Sequence, residues 1–210
     1  MVSELAHVLW LGGSTCAGKT TVARRLAAEH GLRLYACDDA FEDHRRRARP
    51  ERHPGFCDIM DLSGPELCEL PVDRQVEALL AFYRDQMEMI VEDLLDLPAD
   101  RPVLAEGSGL LPDLVAPLLT DPGKALWMIA TPEFRRRRYP ERGSWVRETL
   151  DNAADADRVF ECWMMRDDIL AQQRAERAAA LGLAVLTVDG GLSIAETAAV
   201  AGRRFALEAA

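Results

Sequence analysis

The tightest constraint on the fold lies near residue 10. An apolar run, HVLWL (residues 7–11), passes into GGSTCAGKT and then into a segment of helical period with Val22, Leu26 and Ala27 on one face. A short apolar strand, a glycine-rich turn and an amphipathic helix in direct succession leave few options. The strand has to be buried in a sheet, and the helix has to pack back across it. Residues 13–20, Gly13-Ser14-Thr15-Cys16-Ala17-Gly18-Lys19-Thr20, fit G-x-x-x-x-G-K-[ST] at every position. In that pattern inward-turned backbone N–H groups cradle phosphate oxygens, and Gly13 and Gly18 leave room for the turn. The start of the following helix adds positive potential. The lysine reaches the β- and γ-phosphates, and the next hydroxyl is offered to Mg²⁺. The chain has 23 arginines but only two lysines, Lys19 and Lys124. A compact ammonium suits this point-charge role, whereas a broad planar guanidinium does not.

Periodicity extends the pattern. Residues 32–36, 102–105 (PVLA), 125–130 (ALWMIA) and 183–188 (LAVLTV) read as further strands. Residues 40–49, 72–97, 111–119, 133–138, 155–181 and 193–207 read as helices, with Pro117 a bend in the third. The clearest is 72–97, where Val76, Leu80, Tyr83, Met87, Ile90 and Leu94 mark one apolar face and Pro98 ends it. Residues 50–71, rich in Pro, Gly and Asp, read as a loop or flap, and residues 139–144 interrupt a helix. Alternating apolar strands and helices predict an α/β chain, a parallel sheet covered on both faces, in one domain over residues 1–210.

Composition excludes several classes. A net charge of −10 argues against a general nucleic-acid binder, which rests on a basic face, but leaves room for a local basic site. No apolar run reaches the ~18 residues of a membrane span, and the first residues lack the basic start and cleavage site of a signal peptide. Cys16, Cys37, Cys57, Cys68 and Cys162 are scattered without a C-x-x-C pair, as expected of reduced thiols in a cytoplasmic protein. His44 and His53 lack further ligands at metal-binding spacing.

Charged residues cluster just after the strands: Asp38 and Asp39 after the second, Glu106-Gly107 after the third, Arg135–Arg142 after the fourth, Asp189-Gly190 after the fifth. Each has a plainer use. Asp38 or Asp39 suits an N-cap for the helix from residue 40. Glu106 suits a solvated turn, and the arginines suit a solvated helix face. Four successive arginines cannot all point one way. Arg138 and Arg142 share a face if the helix persists, and Arg135 lies one turn earlier.

The chain has no N-K-x-D guanine signature, and no strand ends in Asp-Glu. What remains resembles the P-loop kinases of small molecules, the nucleoside monophosphate, shikimate, gluconate and chloramphenicol kinase group. GGSTCAGKT looks most like the loop of chloramphenicol phosphotransferase-type enzymes. The resemblance implies a P-loop NTPase fold with a five-stranded parallel sheet, a flap at about residues 41–71 and an arginine-bearing lid at about 134–152. It implies ATP and Mg²⁺, with Gly13, Ser14, Thr15, Cys16, Ala17, Gly18, Lys19, Thr20 and Thr21 around the phosphates. Asp189 and Gly190 would border the adenine, and Thr20 and Asp38 would help place Mg²⁺. Asp38, or Asp39, would take or orient the proton of the acceptor hydroxyl, a task that suits a carboxylate kept anionic near Mg²⁺ and Lys19. Glu106 and Gly107 would stand where an acid orients the acceptor or a Mg²⁺-bound water. Arg135, Arg138 and Arg142, with Arg166 a weaker candidate, would close over the transferring group. His44, Arg45, Arg49 and His53 are candidate acceptor contacts, and Trp145 a candidate for stacking. The implied activity is transfer of the γ-phosphate of ATP to a hydroxyl of a small molecule. That acceptor is an antibiotic or nucleoside-like metabolite, or else a sugar or sugar acid. Shikimate kinases carry three glycines where this chain has Glu106-Gly107-Ser108, which makes shikimate itself an unexpected acceptor. Two other classes stay open: a regulatory P-loop ATPase would need only the loop, and a catalytically idle nucleotide-binding module would have no use for acids after both strands.

Overall fold

The structure, a computed structural model, describes residues 3–62 and 64–207, without the side chains of residues 64, 65 and 145. In chain order the elements are β1 (Val8–Gly13), α1 (Lys19–His30), β2 (Arg33–Ala36), α2 (Phe41–Arg47), α3 (Pro54–Asp61), α4 (Gly64–Glu69) and α5 (Val72–Asp96). They continue with β3 (Val103–Glu106), α6 (Pro112–Val115), β4 (Ala125–Ala130), α7 (Pro132–Arg138), α8 (Ser144–Asp151), α9 (Ala156–Ala180), β5 (Ala184–Val188) and α10 (Ile194–Arg204).

The five strands form one parallel sheet in the order β2-β3-β1-β4-β5. Alternation along the strands sorts the core into two layers. Val8 and Trp10 face one side with Val103, Ala105, Ala125 and Trp127, under Met87, Ile90 and Leu94 of α5 and Ala178 of α9. Leu9 and Leu11 face the other with Leu104, Leu126 and Met128, under Val22 and Leu26 of α1 and Ala198 and Ala201 of α10. The chain builds β2 and β3 on one side of β1 and then crosses to β4 and β5 on the other. Such a reversal opens a crevice at the carboxyl ends of the central strands.

The segment expected as a loop at residues 50–71 holds two helices instead, α3 and α4. The Pro and Gly that suggested a loop have other uses. Pro54 opens α3, where its missing N–H is not needed. Gly55 lets α3 sit against α5, because a Cβ there would lie 2.7 Å from Ala81 Cβ. Phe56 and Ile59 are then buried with Phe82 and Met89, and the Phe56 and Phe82 rings stack at 4.7 Å. Pro117 likewise shortens the helix expected at 111–119 to α6 plus one 3₁₀ turn.

β1 runs two residues further than its apolar pattern, with Gly12 and Gly13 paired to Trp127 and Met128. Gly13 has φ +138°, and a Cβ there would meet the Met128 carbonyl oxygen at 2.0 Å. That contact is backbone on backbone and cannot be relieved by a rotamer change. Gly31 has φ +64° but open space around it. Gly13→Ala is therefore expected to lower Tm by roughly 6 °C or more, and Gly31→Ala by less than half as much. Thermal unfolding followed by circular dichroism compares the two.

Candidate active site

The loop after β1 is held from behind. Ser14 N–H donates to the Met128 carbonyl at 2.9 Å, and Ser14 Oγ accepts from Ala130 N–H at 2.8 Å. Ser14 thus turns its hydroxyl into β4, and its side chain does not face the cleft. Cys16 adopts φ +62°, a left-handed conformation that costs a non-glycine residue about 1–2 kcal/mol. Gly18 has φ +79°, yet a Cβ there would meet only Ile194 Cδ1, at 3.5 Å. The two glycines serve the turn in different ways. Gly13 clears space for β4, and Gly18 is required by its backbone angle.

Lys19 begins α1. Its Nζ donates to the Ser14 carbonyl at 2.8 Å and lies 3.3 Å from Ser108 Oγ. Burial, reinforced by Arg174 and Arg142, lowers its pKa to about 8 despite the pull of Glu106 and Asp38. Thr20 hydrogen-bonds Glu106, the last residue of β3, which is only 2% exposed. Burial pushes the Glu106 carboxyl above its ordinary value, with Asp38 adding to the rise and Lys19 and Thr20 opposing it. Gly107 packs on Cys37, where a Cβ would lie 2.7 Å from Cys37 Sγ. This close approach brings the ends of β2 and β3 together.

Two cavities meet here. One, of about 360 Å³, runs along the loop from Thr15 to Thr21 and is bounded by Asp38, Glu106, Gly107, Ser108 and Arg142. The other, of about 390 Å³, lies between α2, α5 and α9, with Phe41, Phe82, Tyr83 and Trp163 on its walls and Gln86, Arg166, Asp167 and Arg174 among its polar groups. Thr15, Asp38, Ser108 and Arg142 belong to both.

Asp38 and Asp39 separate cleanly. Asp39 N–H closes a turn to the Ala36 carbonyl at 3.0 Å, and its side chain borders neither cavity. Neither aspartate caps α2, whose N-cap is Ala40 with no side-chain bond. Asp38 is exposed at the junction of the two cavities.

Of the three main arginine candidates, Arg142 lines both cavities and lies over the Tyr139 ring. Arg138 is corrected: it is half exposed, pairs with Glu141 at 2.8 Å and borders neither cavity. The α-helix stops at Arg138, and Tyr139–Glu141 form a 3₁₀ turn, so residues four apart no longer share a face. Arg135 is also corrected. It is fully buried beneath the site, bonded to the Ala130 carbonyl at 2.8 Å and paired with Asp168. Arg166 reaches the second cavity, paired with Asp167 at 2.9 Å. Arg174 was missed, although Arg166, Leu170 and Arg174 repeat every four residues along one face of α9. Its Nη2 donates to the Ser108 carbonyl at 3.1 Å, and its guanidinium lies over Tyr83.

Asp189 and Gly190 line a small hollow with Val188, Leu192 and Thr197 and border neither of the two cavities. Asp189 closes its own turn on Gly191 N–H at 2.8 Å, and Gly190 packs against the Phe134 ring. His44 is wholly buried and borders neither cavity, and His53 accepts from Arg49 N–H. The Arg45 side chain faces Glu42 and that of Arg49 faces backbone carbonyls. The Trp145 side chain lies outside the described residues. No group of three His, Cys, Asp or Glu fit for a metal occurs among the described residues. The Thr20 hydroxyl, Glu106 and Asp38 do suit Mg²⁺, which keeps most of its waters and takes one or two carboxylates with phosphate. No helix among the described residues is long and apolar enough to cross a membrane.

No protein-family model matches the chain, and no curated protein matches it. Solved structures do. A gluconokinase from Sinorhizobium meliloti 1021 aligns over 98% of this chain and 94% of its own, with a TM-score of 0.50 and 15% identity. A shikimate kinase from Acinetobacter baumannii, in complex with shikimate, aligns over 97% and 94%, with a TM-score of 0.50 and 14% identity. TT1252 from Thermus thermophilus aligns over 92% and 94%, with a TM-score of 0.51 and 18% identity. At such identities the likeness is one of fold. The chain has the fold of the P-loop small-molecule kinases.

The depressed Lys19 pKa gives a signed prediction. A neighbouring phosphate favours the ammonium, so a triphosphate bound on the loop would raise that pKa and take up a proton near pH 8. ATP affinity is expected to fall as pH rises above about 8. Titration calorimetry in buffers of different ionisation enthalpy reads the proton uptake directly, and Lys19→Met should abolish it.

Proposed function

We propose that the protein is an ATP- and Mg²⁺-dependent phosphotransferase that acts on a hydroxyl group of a small molecule. The observation that carries this reading is the shared wall: Asp38 borders both the P-loop cavity and a second cavity large enough for a compact acceptor. A protein that only binds or hydrolyses nucleotide has no need of the second.

The roles follow from position. Bound Mg²⁺ and ATP supply the phosphoryl group and the charge that neutralises it. The loop N–H groups from Thr15 to Thr21 and the Lys19 ammonium hold the phosphates. Thr20, with Asp38 or Glu106, would hold Mg²⁺. Asp38 accepts the proton of the acceptor hydroxyl, and Arg142 stabilises charge on the group in transfer. The hollow at Asp189 and Gly190 would border the base. In this reading residues 41–71 form the flap and residues 134–152 the lid of one catalytic unit spanning 1–210. Its partner is a small molecule, neither nucleic acid nor membrane, and its setting is the cytoplasm.

The walls favour one acceptor class. Phe41, Phe82, Tyr83 and Trp163 make the lining of the second cavity aromatic, which suits a ring-bearing antibiotic or nucleoside-like metabolite better than an open-chain sugar acid. That class also agrees with the likeness of GGSTCAGKT to the chloramphenicol phosphotransferase loop.

The test is a mass-spectrometric screen of hydroxylated metabolites and antibiotics with MgATP, searched for the gain of one phosphoryl group. Asp38→Asn is expected to lower transfer about 10²–10⁴-fold while ATP affinity changes little. Release of ADP that is independent of any acceptor and undiminished in Asp38→Asn would instead mark a regulatory ATPase.

A further inference from the structure

One group on the wall of the second cavity is oriented by residues that never reach it. Gln86, on α5, is 4% exposed and lines the cavity beside Gly109. Its Nε2 lies 3.4 Å from His44 Nδ1. The other ring nitrogen of His44, Nε2, lies 2.9 Å from Asp93 Oδ2. That carboxylate also accepts from the Tyr35 hydroxyl at 2.6 Å and pairs with Arg47. Burial pushes the Asp93 carboxyl up, but the bonds from His44, Tyr35 and Arg47 outweigh it and hold it below the usual range. It is therefore an acceptor only.

In the neutral imidazole an anionic acceptor at Nε2 holds the single ring proton there and leaves the Nδ1 lone pair facing Gln86. Only a donor can meet that lone pair, so the amide NH₂ points at it. The reverse orientation would set two lone pairs against each other. The amide oxygen is then left to the cavity. Oε1 has no partner among the described residues and stands 3.0 Å from where a Gly109 Cβ would be.

We propose that Gln86 is a specificity-determining residue whose Oε1 receives a second hydrogen-bond donor of the acceptor, a hydroxyl or N–H apart from the hydroxyl that meets Asp38, and that Asp93 and His44 are positioning residues holding the amide this way round. The proposal rests on the phosphotransferase reading for its view of the cavity as an acceptor site. The acceptor is then a ring-bearing diol or amino alcohol. A molecule that turns an ether or carbonyl oxygen toward Gln86 leaves two acceptors unpaired in a buried place, and such a mismatch discriminates strongly.

A matched pair of probes tests this: 3-hydroxybenzyl alcohol and 3-methoxybenzyl alcohol, which share the benzylic hydroxyl and differ in that a methyl group replaces the second donor proton. Binding to the full-length protein with MgATP is followed by NMR titration, and phosphoryl gain by mass in the same samples. The phenol is expected to bind wild type at least about 10-fold more tightly than its ether. Gln86→Leu should erase the preference, with Gln86→Met as the substitute if the leucine variant does not fold. His44→Phe should cut the preference below about 3-fold at unchanged ring binding, and ¹⁵N NMR should show His44 protonated at Nε2. Equal affinities in wild type, no binding of either probe, or a preference surviving in Gln86→Leu overturns the role of Gln86. A full preference in His44→Phe, or a proton on Nδ1, overturns the positioning role. Preference without phosphoryl transfer would leave Gln86 standing and remove the phosphotransferase reading.

Discussion

The backbone contact between the end of β1 and β4 sets the position of everything at the cleft. Because Gly13 has no side chain, the chain passes directly against the Met128 carbonyl. Ser14 then locks the turn with one bond from its N–H and one to its hydroxyl. The loop that follows starts from a fixed point in the middle of the sheet, so its N–H groups and Lys19 are placed by the core itself and do not depend on a mobile connection. A side chain at residue 13 would push the loop off β4 and carry Lys19 with it.

Electrostatics completes the site. Lys19, Arg135 and Arg174 are all buried, and each donates to a backbone carbonyl: Ser14, Ala130 and Ser108 respectively. Arg135 is also paired with Asp168, whereas Lys19 and Arg174 are held by carbonyl dipoles, which do not neutralise them as a carboxylate would. Burying cations this way is unfavourable for the empty protein, as the lowered Lys19 pKa records. An anion entering the cleft relieves that strain. Asp38 stays exposed at the meeting of the two cavities.

Much of this was legible in the sequence. The unbroken apolar run Val8, Leu9, Trp10 and Leu11 announced a strand buried on both faces, and the spacing of Met87, Ile90 and Leu94 announced a long helix. Local rules failed where a residue type has more than one physical use. Pro54 and Gly55 read as loop formers, yet one starts a helix and the other makes room for Ala81. Arg138 and Arg142 read as neighbours on a helix, and a single 3₁₀ turn separated them. Asp38 and Asp39 could not be told apart by period, because the strand ends before either.

The sequence by itself determined the phosphate loop, the parallel α/β architecture and the set of charged residues after each strand. Those follow from contacts within a few residues: backbone angles, strand alternation and the start of a helix. Tertiary structure alone decided which of those charges face the same space. Whether Arg135 lies under the site or in it, whether Arg174 reaches Ser108, and which way Gln86 turns its amide depend on partners distant in sequence. His44 orients Gln86 from 42 positions away, and Ser108 meets Arg174 across 66. No local pattern encodes such pairings, because they arise only when α2, α5 and α9 pack around the open end of the sheet.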